Sequence, residues 1–411
     1  MQEKEHILHA IRNDFPILQE KIYGKSLVYL DNGASAQKPF CVIEAMKDFS
    51  FHNYANVHRA MHFLSNRATE AYENARLCVK RFLNSADKQE IIFTKNATEA
   101  INLVAYSWAM EHINEDDEII VTVAEHHSNI VPWHFVRQKK GARIKFIPLM
   151  EDGGFSFSAL EKAITKKTKL IAVTHMSNIL GTIYPIKSIV QLAKAHNITT
   201  LVDGAQAAVH LPVDVQDLDC DFYVFTGHKV YGPTGIGVLY GKKAKLEEMV
   251  PFLGGGEMVD IVDMEQITYN SLPYCFEAGT PPIIEAVGLA KALDYISSFD
   301  RSFIVKHEKD LSTYLYEGLK TIEGIKVLGA LEQKNSIFSF YHEDIHAHDI
   351  AVYLDKNGIA IRSGTHCAQI LLKFFSVSSV CRASIAMYNN KADIERFITS
   401  LEKAISFFKS I

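Results

Sequence analysis

The sequence predicts an α/β protein built on a mostly parallel, seven-stranded sheet, with a smaller α+β unit after it. Three observations carry this. Between Glu90 and Tyr240 short β-rich runs alternate with helical stretches, the pattern of strands joined by crossover helices. Several of those runs are nearly unbroken in Ile, Val, Phe and Leu, as strands covered on both faces must be. The chain has 411 residues, 48% of them hydrophobic, which is enough for two packed cores.

In chain order, residues 1–22 show helical spacing at Ile7, Ile11 and Phe15 and are expected to pack beside the smaller unit. Residues 23–285 form the expected large domain. Its strand candidates are Glu90–Thr94, Glu118–Val123, Ala142–Pro148, Leu170–Thr174, Thr199–Asp203, Asp221–Phe225 and Gly237–Tyr240. Residues 286–411 form the expected small domain. After Pro281-Pro282 the pattern is helical through Ile283–Phe299 and Phe303–Ile322, strand-like at Ser336–Tyr341, and helical again from Lys391. No repeat, low-complexity segment or flexible linker separates these parts.

Composition narrows the function classes. The 43 Lys+Arg against 48 Asp+Glu give a net charge of -5 with no long basic run, which argues against a nucleic-acid or anionic-membrane surface. There is no apolar stretch of membrane-spanning length, and the charged start does not resemble a signal peptide, so a cytoplasmic protein is expected. The six cysteines are scattered with no C-x-x-C pair, which fits free thiols in a reducing compartment and no structural zinc. His346-Ala-His348 has no supporting ligand set, so no metal is expected there.

Three stretches carry chemistry. In Tyr223-Val-Phe-Thr-Gly-His-Lys229 a lysine follows an apolar strand at a tight turn. Most lysines after strands are solvated, but one desolvated at the mouth of a sheet has a free amine that can form an imine with an aldehyde. In Leu201-Val-Asp203-Gly-Ala-Gln206 an acid ends the preceding strand, at the edge where open α/β sheets bind ligands. In Thr94-Lys-Asn-Ala-Thr98 a strand gives way to a hydroxyl-bearing turn and a helix start, which suits a phosphate. An amine, an acid able to pair with a pyridine nitrogen, and a phosphate cradle together describe a site for pyridoxal 5'-phosphate.

With these residues the chain resembles the class V, fold-type I aminotransferases, and among them the group II (Suf-type) cysteine desulfurases and selenocysteine lyases. The resemblance spans nearly the whole chain. It includes Tyr29-Leu-Asp-Asn-Gly-Ala-Ser, Asn56-Val-His-Arg59, Glu125-His-His-Ser-Asn, His175-Met-Ser-Asn178, Phe276-Glu-Ala-Gly-Thr280, Arg362-Ser-Gly-Thr-His-Cys367 and Cys381-Arg-Ala-Ser. It departs at Ala60, Cys275, Thr365 and Ile370, where the family often has Gly, Arg, His and Pro.

The resemblance implies a role for each matching residue. Lys229 holds the cofactor, Asp203 pairs with its ring nitrogen, Asn178 and Gln206 address its phenolic oxygen, and His127 stacks on its ring. Thr98, Thr226 and His228 hold the phosphate, and Thr280 reaches the phosphate of a second subunit in a homodimer. Arg382, with Arg362 and Asn178, binds the substrate. Cys367, beside the basic residues His366 and Arg362, takes sulfur from L-cysteine as a persulfide and releases alanine. A Suf-type acceptor protein then carries the sulfur to iron–sulfur cluster assembly. The alternatives are a selenocysteine lyase and, further away, a non-catalytic cofactor-binding partner.

Overall fold

The computed structural model describes residues 2–410. Its large sheet contains β1 (Ile91–Thr94), β2 (Glu118–Thr122), β3 (Arg143–Ile147), β4 (Thr168–Thr174), β5 (Thr199–Asp203), β6 (Phe222–Thr226) and β7 (Gly237–Gly241). Their spatial order is β1-β7-β6-β5-β4-β2-β3. Strand β7 runs antiparallel to both neighbours, and the other pairs are parallel.

The apolar runs explain this layering. β1, β2, β5, β6 and β7 are buried along their whole length. Successive residues point to opposite faces, so each strand feeds two cores. Ile91, Phe93, Ile120, Tyr223 and Phe225 enter the core on one side, while Ile92, Ile119, Val121, Phe222 and Val224 enter the other. A strand with a polar face could not sit there, and only the edge strand β3 has an exposed residue, Arg143.

The C-terminal part contains the helices Ile283–Ser297 and Arg301–Thr321, then a four-stranded antiparallel sheet. Its strands are β8 (Ile325–Val327), β9 (Ile337–His342), β10 (Arg362–Gly364) and β11 (Val380–Ser384), in the order β8-β9-β11-β10. The break between the two helices falls where Asp300 caps the second, accepting from the Ser302 amide. The closing helix Lys391–Lys409 starts with a capping box of Asn390 and Asp393. Helix Gln2–Asn13 is joined to it by Arg12, 2.8 Å from Asp393.

Val28 and Leu30 pack into the core under the four-stranded sheet, and Val28–Tyr29 pairs in parallel with Ile359–Ala360. The early segment thereby crosses from one sheet to the other, and Asp31 is left bridged to Ser384 at the junction.

Candidate active site

The carboxyl ends of β4, β5 and β6 lie side by side, and they bring Thr174, Asp203 and Thr226 to one edge. Above them is a cavity of about 310 Å³ lined by these residues together with Gln206, His228 and Lys229. Lys229 ends the turn Gly227–Lys229 that follows β6 directly. Its side chain opens to the cavity but is otherwise enclosed by protein. Burial pushes the amine down to about 8, against the pull of Asp203.

Asp203 is 5% exposed, and burial raises its carboxyl, while the Ala205 amide at 2.9 Å and Lys229 act the other way. Such an acid gains by meeting a cation. His228 is pushed down to about 4 by burial, with Lys229 and Lys38 adding to the effect, so the ring is neutral. Gln206 donates to the Gly33 carbonyl at 2.7 Å, and its Oε1 has no partner. The hydroxyl of Thr226 is likewise buried without a partner.

The opposite end of the cavity is the start of helix Ala97–Val104, capped by Asn96, which accepts from the Glu99 amide. Thr98 offers its hydroxyl 2.7 Å from that of Ser128. Free helix amides and two hydroxyls make an anion cradle. Strand β7 passes so close beneath that a Cβ on Gly237 would lie 2.4 Å from the Asn96 backbone.

Of the two adjacent histidines, His126 lines this cavity and His127 does not. His126 Nδ1 accepts from the Ser128 amide at 3.1 Å and lies 3.0 Å from its hydroxyl, which turns the ring inward. Burial, then Lys229, pushes His126 down to about 3. The amide of His127 instead donates to the Cys367 carbonyl at 2.9 Å, and its ring Nε2 lies 3.4 Å from the Gln369 amide. Of the two rings, the one at the cavity is therefore that of His126, where the resemblance implies His127. His127 fastens the Cys367 loop.

Cys367 is exposed at the cavity mouth. His366 and Cys367 both have left-handed φ, at 49° and 57°, so the loop makes a tight outward turn. Sequence reading counts His366 as a basic neighbour of the thiol. Burial, with Arg382 next, pushes it down to about 3, and the charges near Cys367 are those of Arg362, Arg382 and Lys229.

Arg362 and Arg382 are Cα partners on β10 and β11. The carboxylate of Asp31 holds both, 3.1 Å from Arg362 and 3.5 Å from Arg382. Arg382 is 3% exposed and also donates to the Asn178 carbonyl at 3.0 Å. The Asn178 side chain donates to the His366 carbonyl at 2.9 Å, so this asparagine links the arginine to the cysteine loop. Asp31, Asn96, His126 and Ser128 were not singled out from sequence. The first lies 331 positions from Arg362, and the others stand beside residues that were.

Thr280 lies elsewhere, on a second cavity with Lys95, Phe252 and Glu285. No group of His, Cys, Asp and Glu able to hold a metal occurs among the described residues, and no described helix is long and apolar enough to cross a membrane.

Comparison with known proteins gives the family. A probable cysteine desulfurase of Halalkalibacterium halodurans is 46% identical, covering 97% of this chain and 98% of its own. One from Synechocystis is 47% identical, covering 97% and 96%. Among solved structures, a cysteine desulfurase of Escherichia coli superposes with a TM-score of 0.91 at 39% identity, covering 97% of this chain and 98% of its own. One of Thermococcus onnurineus gives 0.93 at 36% identity with the same coverage. The model of the class-V aminotransferase family matches residues 28–397, and the chain belongs to that family.

Proposed function

We propose that the protein is a pyridoxal-phosphate-dependent cysteine desulfurase, converting L-cysteine to L-alanine and collecting the sulfur on Cys367. The observation that carries this is an exposed thiol at the mouth of the cavity that holds Lys229. Family membership supplies the cofactor, and the cavity fits it. Thr226 Oγ1 and Gln206 Oε1 are buried polar atoms with no protein partner, the amine of Lys229 is desolvated, and the anion cradle lies across from it. Lys229 would hold the aldehyde carbon, Asp203 the ring nitrogen, and Thr98, Ser128, Thr226 and His228 the phosphate, with His126 against the ring. Bound there, pyridoxal phosphate supplies an electron sink that acidifies Cα–H and makes the Cβ–S bond cleavable.

The chain's own groups do the rest. Arg382 grips the substrate carboxylate, with Arg362 beside it. Lys229, its amine near neutrality, takes the Cα proton. The Cys367 sulfur attacks the substrate sulfur. An S–S bond forms, the Cβ–S bond breaks with its electron pair going to carbon, and protonation there gives the methyl group of alanine. Cys367 is left as a persulfide.

A Suf-type sulfur-acceptor protein, feeding iron–sulfur cluster assembly, fits a persulfide displayed at the surface. A homodimer fits the position of Thr280 outside its own chain's cavity.

The test compares alanine release from L-cysteine, with a reductant present, by wild type and Cys367→Ser at equal cofactor absorbance. Loss of at least about two orders of magnitude in the variant is expected for removal of a reacting nucleophile. Undiminished turnover would overturn the assignment, and a loaded wild type active only on L-selenocysteine would replace it with a lyase.

A further inference from the structure

Four residues that line the cavity have a buried polar atom with no protein partner: Gln206 Oε1 and Thr226 Oγ1, already assigned to the cofactor, and Nε of Arg382 and Nδ1 of His366. The arginine atom is a donor. The character of the histidine atom follows from its ring. His366 Nε2 lies 3.1 Å from the carbonyl oxygen of Val380, which can only accept, so Nε2 carries the proton. With the ring held neutral by burial, Nδ1 presents a bare lone pair. A buried acceptor without a partner is costly unless a ligand uses it.

The two atoms are fixed relative to one another. Arg382 donates to the Asn178 carbonyl at 3.0 Å, and the Asn178 side chain donates to the His366 carbonyl at 2.9 Å. Both residues line the cavity beside Cys367. A ligand that satisfies both atoms carries an acceptor for the guanidinium N–H and a donor for the imidazole lone pair. The carboxylate and thiol of cysteine match that pair, whereas alanine matches only half of it.

We propose that His366 is the thiol-recognising residue of the site, its Nδ1 accepting the S–H of the substrate while the substrate carboxylate takes the free Nε–H of Arg382. This rests on the desulfurase reading above and adds the basis of its selectivity for a thiol. His366 is a weak base here, so it holds the S–H without removing its proton. The Cys367 sulfur then meets a neutral thiol rather than a second anion, and the proton stays on the transferred sulfur.

The test uses cofactor-loaded His366→Gln and His366→Asn proteins. Glutamine can keep a donor toward Val380 but leaves no acceptor at the Nδ1 position, whereas asparagine returns an oxygen there. His366→Gln is expected to lower kcat/KM for L-cysteine about tenfold, mostly through KM, the size of one lost hydrogen bond at a buried site. Turnover of L-selenocysteine, whose selenol is ionised at neutral pH and has no proton to donate, should stay within about twofold, as should L-alanine affinity read from the cofactor spectrum. His366→Asn should recover most of the loss. The alkylation rate of Cys367 should match wild type in both variants.

Equal losses on the two substrates would overturn the proposal, as would weakened L-alanine binding, slowed Cys367 alkylation or undiminished cysteine turnover. Failure of the desulfurase reading looks different, because wild type itself would then release no alanine from L-cysteine.

Discussion

A carboxylate between two guanidiniums sets the charge balance of the site, and Asp31 is that carboxylate. Arg382 is nearly inaccessible, so removing its counterion leaves a buried cation facing a second cation across the strand pair. Asp31→Asn is expected to destabilise the apoprotein by about 3 kcal/mol in urea unfolding, with part of the loss restored by added sulfate. Such a partner is invisible in sequence because nothing local marks it. Lys229 and Asp203 were legible because Asp203 ends a strand and Lys229 ends the short turn that follows one, so position along the chain fixes position at the sheet edge. His126 and His127 are hard to tell apart in sequence because adjacent residues in a turn point different ways, and it is the His126 ring, bonded to Ser128, that lines the cavity. His366 counted as a base until burial made it neutral.

Among the elements, the crossing of β7 beneath helix Ala97–Val104 sets the end of the cavity proposed for the phosphate. A methyl group on Gly237 would meet backbone atoms of Asn96 and Ala97, which cannot swing aside as a side chain could. Gly237→Ala should therefore shift the helix start and weaken pyridoxal phosphate binding to the apoprotein by at least about tenfold, with far-UV circular dichroism unchanged. A normal titration would mean that the strand moves instead. The seven strands of this sheet were readable because long apolar runs have few other uses. β10 and β11 were not read as strands. One has three residues and the other is buried throughout, so neither shows an alternating pattern. The pairing of Val28–Tyr29 with Ile359–Ala360 joins distant stretches of chain, and no local signal announces it.

Across the whole molecule, the two sheets are also joined by β9 and the segment before it. Ile183 donates to the Gln333 carbonyl at 2.9 Å, Asn335 to that of Gly181 at 3.0 Å, and the Ser339 hydroxyl to that of Ile179 at 2.7 Å. Lys334 lies inside this joint at 1% exposure, donating to the Leu328 carbonyl and resting 5.0 Å from the Phe338 ring centre. Burial pushes its amine down to about 7 from 10.5. Between those values the unfolded chain binds more protons than the folded one, so this group makes stability rise with pH across that window. Lys334→Met should raise the melting temperature by about 2–4 °C at pH 6, and the gain should shrink as pH approaches 10. A gain independent of pH would show that Lys334 binds its proton equally well in the folded and unfolded chain, and would overturn the shift.

The paired arginines and their single aspartate have one more consequence. Two positive charges against one negative leave an uncancelled unit of charge inside a small pocket, and the resting site behaves as an ion exchanger with one free valence. Chloride, phosphate or sulfate in the medium is expected to compete for that valence, and a KM for L-cysteine that rises with added salt would check it. An incoming amino acid therefore begins by displacing an ion rather than by filling a void, and the salt in which the enzyme works becomes one of its competitive ligands.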